Sequence, residues 1–372
     1  MIIGIPKEIK TKEFRVGLAP AGVRELTEAG HELLVEHNAG IGIGMSDDDY
    51  RAAGATILQS ADELFARSRL IIKVKEPQPE ECQRLTPEHL LFTYLHLAAD
   101  PAQAKALLKS GATCIAYETV TSASGGLPLL APMSEVAGRM AIQAGAYFLE
   151  KTHGGFGVLL GGVPGVAPAK VVILGGGVVG SHAAMIAIGM GAEVWVLDKN
   201  VDVLRGLWKQ YGSAINTQYA TRAAIEEQVT NADLVIGGVL IPGSTAPKLI
   251  SRAMLGTMKP GAVMVDVAID QGGCFETSHA TTHDDPTYLL DGVIHYCVAN
   301  MPGAVPRTST FALNNATLPF ALALASKGLD ALRADPHLRV GLNVCQGLIT
   351  HPGVASSLGY PYIDPLQALN MG

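Results

Sequence analysis

Residues 170–180 read Lys-Val-Val-Ile-Leu-Gly-Gly-Gly-Val-Val-Gly, and residues 193–198 read Glu-Val-Trp-Val-Leu-Asp. An apolar run, a glycine cluster, an Ala-rich segment and a second apolar run ending on an acid predict strand, tight turn, helix and strand in that order. The glycines alone would suit a tight turn in any α/β core. The complete context, with the acid at its end, favours a dinucleotide-binding unit.

Each residue of this motif has a physical task in holding a dinucleotide. Gly175 permits the tight turn, Gly177 lets the backbone approach a pyrophosphate, and Gly180 lets helix and strand pack closely. The helix N-terminus offers unpaired N–H groups to the phosphates. Asp198 can accept hydrogen bonds from both hydroxyls of the adenosine ribose and would repel a 2′-phosphate. The motif therefore predicts NAD in preference to NADP as the cofactor.

Composition excludes several classes of protein. The net charge is −7 and no basic run occurs, which argues against nucleic acid as a partner. The most apolar stretches carry charged residues, so no run approaches the about 20 apolar residues of a membrane span. Lys7 and Glu8 place charge too early for a secretory signal. The five cysteines have no paired spacing, so neither a disulfide framework nor a metal site is expected and a cytoplasmic location is predicted.

Apolar runs alternate with helical segments along the chain, which predicts α/β layers with mostly parallel sheets. Predicted strands are Ile2–Ile5, Glu32–Glu36, Leu70–Val74, Leu91–Tyr94, Thr113–Ala116, Val171–Leu174, Glu193–Leu197, and stretches near Asp233–Gly237, Ala262–Val267 and Gly292–Cys297. Predicted helices are Pro20–Ala29, Ser60–Arg67, Pro101–Lys109, Met133–Lys151 and Thr308–Lys327. Beyond them we expect a short helix and a Gly/Pro-rich tail.

The order of these elements predicts two α/β domains. A Rossmann NAD-binding domain, residues 130–306, is expected to be inserted into a discontinuous substrate (catalytic) domain that comprises residues 1–129 and 307–372. Gly and Ser concentrate at Thr121–Pro128, as in a hinge or linker. Two crossings between domains predict a hinged cleft, where ligands usually bind.

Three polar residues stand just beyond the carboxyl ends of predicted strands, where functional groups of open α/β sheets collect. Lys75 is suited to polarise an oxyanion or carbonyl, and His96 and Asp270 are suited to exchange protons near neutral pH. Each has a plainer interpretation: Lys75 as a solvated lysine and His96 as a structural histidine. Asp266 competes with Asp270, because it lies in the same apolar run and would suit a buried, hydrogen-bonded acid.

Motifs along essentially the whole chain resemble those of the alanine dehydrogenase family. They include Lys73-Val74-Lys75-Glu76-Pro77 and Thr93-Tyr94-Leu95-His96-Leu97. The other matching segments are Gly4–Glu8, Pro132–Arg139, Leu159–Val166, Pro242-Gly243 with Ala246–Lys248, Val265–Gly273 and His295–Pro306.

The resemblance implies NAD-dependent oxidative deamination of L-alanine to pyruvate and ammonium, and the reverse reaction. Arg15 and Lys75 would bind the substrate, and His96 and Asp270 would be the catalytic acid/base pair. Besides the glycines and Asp198, the implied cofactor contacts are Ser134, Val178, Val239, Leu240, Val267, Ala268, Ile269, Asp270, Val298, Asn300 and Met301. A homohexamer is also implied.

Four positions depart from the family pattern. Phe156 and His279 stand where arginine is common, Ala220 where a serine often contacts the cofactor, and Val203 where a basic residue often lies near the adenosine. Each departure removes a polar or charged contact, so a weaker affinity for NAD is expected.

Three other functions compete with this interpretation. The NAD-binding subunit of a proton-translocating transhydrogenase would need a membrane partner and no amino-acid site, and the retained Arg15, Lys75, His96 and Asp270 argue against it. A dehydrogenase of the lysine/saccharopine type would match the motifs less completely. A catalytically silent NAD sensor is the third alternative.

Overall fold

The computed structural model describes residues 1–239 and 246–371. The chain forms two compact units: Met1–Met133 with Val305–Gly372, and Ser134–Ala304. We call them the discontinuous unit and the inserted unit. Each contains one largely parallel sheet with helices, so the predicted fold class, two α/β domains, is confirmed.

The strands, numbered along the chain, are β1 (Ile2–Ile5), β2 (Glu32–Glu36), β3 (Thr56–Leu58), β4 (Leu70–Ile72), β5 (Leu90–Thr93), β6 (Thr113–Ala116), β7 (Lys170–Leu174), β8 (Glu193–Asp198), β9 (Asn216–Tyr219), β10 (Leu234–Gly237), β11 (Val263–Asp266), β12 (Thr287–Leu290), β13 (Val293–Tyr296), β14 (Leu342–Cys345) and β15 (Leu348–Ile349).

The helices are α1 (Pro20–Glu28), α2 (Asp47–Ala52), α3 (Ala61–Arg67), α4 (Pro79–Arg84), α5 (Pro101–Ser110), α6 (Ala131–Phe148), α7 (Val178–Gly189), α8 (Val201–Tyr211), α9 (Arg222–Thr230), α10 (Arg252–Leu255), α11 (Pro306–Lys327), α12 (Leu329–Ala334), α13 (Pro336–Val340), α14 (Pro352–Leu358) and α15 (Pro365–Leu369). Many begin at a side-chain cap or a proline; Asp100 accepts from the first amides of α5, for example.

The inserted unit has a seven-stranded sheet in the order β12-β13-β11-β10-β7-β8-β9. Its six parallel strands, counted along the chain, follow the order 3-2-1-4-5-6 of a doubly wound Rossmann fold, and β12 adds an antiparallel edge. The order reverses between β7 and β10. Ligands of such sheets bind at this reversal, beyond the carboxyl ends of the strands.

The discontinuous unit repeats this arrangement. Its sheet order is β15-β14-β6-β5-β4-β1-β2-β3, in which β1 to β6 are parallel and again follow the order 3-2-1-4-5-6. The reversal lies between β1 and β4. Loops that follow β1, β4 and β5 therefore gather at one sheet edge, and these loops carry Lys75 and His96.

Apolar strand residues bury both faces of each sheet. In β7, Val171 and Ile173 belong to one apolar cluster and Val172 and Leu174 to another, so alternate residues fill two separate cores. All four are at most 1% exposed. Burying one such side chain stabilises the fold by about 1.5–3 kcal/mol. Double-sided burial explains why the strand reads as a continuous apolar run.

The prediction for the C-terminal segment was incomplete. The expected short helix is α12, but the Gly/Pro-rich tail after it forms three further helices and the strands β14 and β15. The β14 strand is fully buried and pairs antiparallel with β6. Its sequence, Leu-Asn-Val-Cys, is interrupted by the polar Asn343, and the strand that pairs with it lies more than 200 residues away in sequence.

Three further strands were missed: Thr56–Leu58, Asn216–Tyr219 and Thr287–Leu290. All are edge or near-edge strands with several partly exposed residues, so they lack the apolar run used to find the others. Predicted strand ends also shifted by one or two residues; the strand expected at Leu70–Val74 ends at Ile72, and that expected at Leu91–Tyr94 spans Leu90–Thr93.

Candidate active site

A buried ion cluster, formed by Lys73, Glu8 and Glu81, lies next to the segment that carries Lys75. Lys73 is fully buried, and its Nζ lies 3.0 Å from Oε2 of Glu8 and 2.7 Å from Oε1 of Glu81. Burial by itself would lower the pKa of Lys73, but the two carboxylates raise it, so the ammonium stays charged. Glu8 also accepts hydrogen bonds from the backbone N–H of Val74 at 2.7 Å and of Lys75 at 3.4 Å. The cluster thereby fixes the chain from which Lys75 projects.

Lys75 is largely buried, with 8% of the residue exposed, so it is not the solvated surface lysine of the plainer interpretation. Its Nζ lies 3.9 Å from Oε2 of Glu76, and its carbonyl accepts a hydrogen bond of 2.9 Å from the Thr93 hydroxyl. A lysine held in this way can pin a carboxylate or polarise a carbonyl oxygen.

Arg15 is buried and engaged by Glu13. Nε donates to Glu13 Oε1 at 2.7 Å and Nη2 donates to Oε2 at 2.6 Å, which is a bidentate pair. Nη1 donates to the Met133 thioether at 3.1 Å. Burial by itself would lower the pKa of Arg15, but Glu13 raises it. The guanidinium is therefore a fixed positive charge with a defined plane.

His96 follows β5 in a left-handed backbone conformation, with φ 51° and ψ 35°. Such a conformation is uncommon for a residue with a side chain, and in folded proteins it often marks a functional turn. Glu118 holds this turn, because its carboxylate accepts hydrogen bonds from the backbone N–H of Leu95 and, at 2.7 Å, of His96. The imidazole stacks on Tyr94, with ring centroids 5.7 Å apart, and 38% of the side chain is exposed.

The glycine turn of the inserted unit leaves no room for side chains at two of its positions. Gly175 has φ +94°, and a Cβ there would lie 2.8 Å from Val239 Cγ2. A Cβ on Gly180 would lie 1.8 Å from the carbonyl oxygen of Gly175. Around Gly177, by contrast, no heavy atom of the described residues other than its chain neighbours lies within 4 Å of the Cβ position, and helix α7 begins directly after it. Open space at a helix N-terminus suits a phosphate group.

Asp198 ends β8 and ties the turn to this strand. Its Oδ2 accepts a hydrogen bond of 2.7 Å from the Gly176 N–H, and its Oδ1 accepts one of 2.7 Å from the Asn200 N–H. Each carboxylate oxygen can accept a second bond, so a ribose hydroxyl remains a possible donor.

Replacing Asp198 by alanine should lower the preference for NAD over NADP by about tenfold or more, because the repulsion of a 2′-phosphate at close range disappears. Asp198→Asn is the matched variant. It removes the charge but keeps an oxygen that accepts from Gly176, so it should shift the preference similarly while losing less NAD affinity. The ratio of kcat/KM with the two cofactors is the measurement. An unchanged ratio in both variants would contradict this role of Asp198.

Asp270 is exposed in the short turn after β11, and its competitor Asp266 is fully buried. Asp266 accepts hydrogen bonds from the N–H of Cys274 at 2.8 Å and from the Ser278 hydroxyl at 2.5 Å. Burial raises the pKa of Asp266, although these donors oppose the shift. Lys248 closes the same loop by donating to the carbonyls of Gly272, Gly273 and Phe275. Asp266 is therefore a structural acid that shapes the loop presenting Asp270.

The other predicted cofactor residues lie mostly at strand ends of the inserted unit. Val239 follows β10, Val267, Ala268 and Ile269 follow β11, and Val298, Asn300 and Met301 follow β13. Asn300 has a left-handed backbone, φ 64°. Ser134 lies in α6, and Val178 is exposed at the first position of α7. Leu240 lies outside the described residues, as does the Pro242-Gly243 motif.

The four residues that differ from the family pattern are Phe156, Val203, Ala220 and His279. Val203 packs beside Gly176, where an added Cβ would lie 2.7 Å from Val203 Cγ1. The ring of His279 stacks on Tyr288, with centroids 3.7 Å apart. Phe156 is 54% exposed, and Ala220 packs partly buried against an apolar cluster.

Five carboxylates that hold the candidate site were not identified from the sequence: Glu8, Glu13, Glu76, Glu81 and Glu118. Only Glu13 and Glu76 carried a local signal, since each lies within two residues of Arg15 or Lys75. Glu8 and Glu118 reach Lys73 and the His96 turn from segments 65 and 22 residues away, and Glu81 reaches Lys73 from the following helix, α4. Their partners become neighbours only in the folded sheet.

Two negative findings concern residues 1–239 and 246–371. Across these ranges no three His, Cys, Asp or Glu side chains are grouped as a metal site would require. Within the same ranges no helix has both the length and the apolar character to cross a membrane.

A Rossmann unit with a glycine turn and an acidic strand end, in one chain with a second α/β unit presenting buried cations and a histidine, defines a nucleotide-binding oxidoreductase of the dehydrogenase class. Comparison with known proteins specifies it further. The model of the alanine dehydrogenase/PNT N-terminal domain matches residues 4–137, and that of the C-terminal domain matches residues 141–352. The chain therefore belongs to the alanine dehydrogenase/PNT family.

Proteins similar to this chain over nearly its whole length include alanine dehydrogenases. An alanine dehydrogenase of Halomonas elongata is 59% identical over 365 residues, 98% of each chain. A solved L-alanine dehydrogenase has a TM-score of 0.93 and 53% identity, covering 96% of this chain and 99% of that one. The transhydrogenase from Sinorhizobium meliloti, with a TM-score of 0.78 and 24% identity, shares the fold.

Proposed function

We propose that this protein catalyses the NAD-dependent oxidative deamination of L-alanine to pyruvate and ammonium, and the reverse reductive amination. The observation that carries the proposal is the similarity, over nearly the whole chain, to proteins named alanine dehydrogenase. The discontinuous unit would bind the substrate and the inserted unit would bind NAD.

The inserted unit fits NAD by three features of its own residues. In the part of the chain that the structure describes, the space around Gly177 is open, α7 begins there, and the half-buried Asp198 carboxylate lies at the end of the neighbouring strand. The pyrophosphate would lie against the turn, and the ribose hydroxyls would donate to Asp198. Bound NAD would accept the hydride that leaves the alanine Cα.

Arg15 and Lys75 would hold the substrate carboxylate. The Nε–Nη2 edge of Arg15 is engaged by Glu13, which fixes the plane in which the guanidinium would meet a carboxylate. Both cations are buried, which strengthens their attraction for an anion. Fixing the substrate in this way would supply much of the rate by orientation.

His96 and Asp270 would carry protons. Hydride leaves the alanine Cα only when the amine is neutral, so a base must first accept a proton from the ammonium group. Water must then add to the imine carbon, and the adduct must release ammonia, which requires further proton transfers. An imidazole and a carboxylate are suited to these steps near neutral pH.

The test is NADH formation from L-alanine and NAD at mildly alkaline pH, beside NADP, glycine, L-serine and L-lysine. Activity confined largely to L-alanine and NAD is the expected result. Activity with L-lysine instead would favour a lysine-type dehydrogenase. Tight NAD binding without activity on any amino acid would overturn the proposal in favour of a transhydrogenase-like module or an NAD sensor.

We also propose that the protein is a cytoplasmic homohexamer. Closed symmetry is the general rule for soluble oligomers, and the resemblance implies six subunits. The five cysteines are all buried free thiols, which suits a reducing compartment. Sedimentation velocity would show one species of six times the 38.9 kDa chain, and a stable smaller species would contradict the assembly.

A further inference from the structure

The carboxylate of Glu76 lies among the proton-carrying and cationic groups of the discontinuous unit. Its Oε1 forms an ion pair with Lys10 Nζ. Its Oε2 lies 3.9 Å from Lys75 Nζ and 3.8 Å from His96 Nδ1. The side chain is 15% exposed, and within residues 1–239 and 246–371 the buried Oε2 has no hydrogen-bond partner. A buried carboxylate oxygen that accepts no hydrogen bond is uncommon, which indicates that Oε2 is placed to accept one from a neighbouring donor.

The backbone around Glu76 is fixed. Pro77 follows Glu76 directly, and the Glu76 carbonyl accepts a hydrogen bond of 3.0 Å from Gln78 Nε2. The Lys10 ion pair ties the side chain to the loop after β1. The imidazole is the more adjustable partner, because 38% of the His96 side chain is exposed. Catalytic contacts are often loose without substrate and tighten when it binds.

We propose that Glu76 is a positioning residue for His96, holding the imidazole with Nδ1–H toward Oε2 and leaving Nε2 as the nitrogen that takes and returns the substrate proton. This inference rests on the proposed role of His96. A carboxylate beside one ring nitrogen fixes the tautomer and stabilises the imidazolium that forms when the other nitrogen accepts a proton. Glu76 thus makes His96 a stronger and better-aligned base.

The surrounding charges keep Glu76 ionised. Burial by itself would raise the pKa of Glu76, but His96, Lys75 and Lys10 hold it well below its usual range. The groups around His96 are Glu76, the Tyr94 ring stacked on it, the Glu118 carboxylate at its backbone N–H, and the ammonium groups of Lys75 and Lys10 that contact Glu76. Neutralising Glu76 removes a carboxylate that stabilises the imidazolium form of His96.

Glu76→Gln keeps the shape and removes the charge. We expect the acid limb of the kcat/KM profile for alanine oxidation to move to lower pH by about one unit, since a negative charge 3.8 Å from the imidazole is removed. kcat should fall about tenfold or more. KM for alanine should not rise, because Lys75 loses a competing anion. The titration of the His96 imidazole, followed by NMR and assigned by its absence in His96→Asn, should move in the same direction.

Two variants complete the test. Glu76→Asp keeps the charge at a longer distance and should give a smaller shift in the same direction, which also serves if the glutamine variant does not fold. Glu80→Gln, at an exposed neighbouring carboxylate, should leave the profile unchanged. An acid limb and a His96 titration that stay in place in both Glu76 variants would overturn the inference, whatever happens to kcat. A wild-type protein inactive on alanine would instead refute the proposed function, while the NMR titration would still decide the role of Glu76.

Discussion

Replacing His96 by asparagine should lower kcat for alanine oxidation by at least about 100-fold while the protein stays folded. Asparagine tolerates the left-handed backbone at this position better than most residues, and the Glu118 carboxylate would still accept from the same backbone N–H groups. The variant therefore removes the imidazole with little disturbance of the turn. Steady-state kinetics, with NAD affinity measured separately, would separate lost proton transfer from lost cofactor binding.

A matched control is His37→Asn, at an exposed histidine in the same unit, which should keep near-normal turnover. Asp270→Asn carries the same expectation of at least about a 100-fold loss. Normal turnover in both the His96 and the Asp270 variant would show that these residues are not the acid/base pair. A loss in one alone would assign the proton transfers to that residue.

Replacing Lys73 by methionine should destabilise the protein by about 3–5 kcal/mol, because it leaves the buried carboxylates of Glu8 and Glu81 without their counter-ion. The expected loss is a large fraction of the free energy of unfolding of a typical domain. Urea unfolding followed by circular dichroism, at fixed protein concentration, is the measurement. Activity should fall as well, since Glu8 also anchors the backbone of Lys75.

Two comparisons make this prediction specific. Lys105→Met removes a charge from an exposed position of α5 and should change stability by no more than about 0.5 kcal/mol. The triple variant Glu8→Gln, Lys73→Met, Glu81→Gln leaves no unpaired charge in the cluster and should recover much of the loss. Equal stabilities of Lys73→Met and Lys105→Met would mean that the buried cluster contributes nothing to folding.

Parts of the fold were predictable because their signals are local. The apolar runs of β1, β2 and β6 and the sequence around Gly175 each specify an element within a few residues, since double-sided burial requires continuous apolar character. The edge strands β3, β9 and β12 carry no such run and were missed. Strands of this kind form because a neighbouring strand offers its unpaired backbone groups, which no local pattern records.

The sequence by itself determined the α/β class, the Rossmann unit, the family, and the positions of Lys75, His96 and Asp270 at strand ends. Only the tertiary structure decided the role of the carboxylates around the candidate site. Glu13 pairs with Arg15, Glu118 accepts from the backbone of the His96 turn, and Asp266 accepts hydrogen bonds within its own loop. The physical reason is that a strand signal depends on neighbours in sequence. An ion pair or a hydrogen bond depends on distance in space, and the sheet order sets that distance.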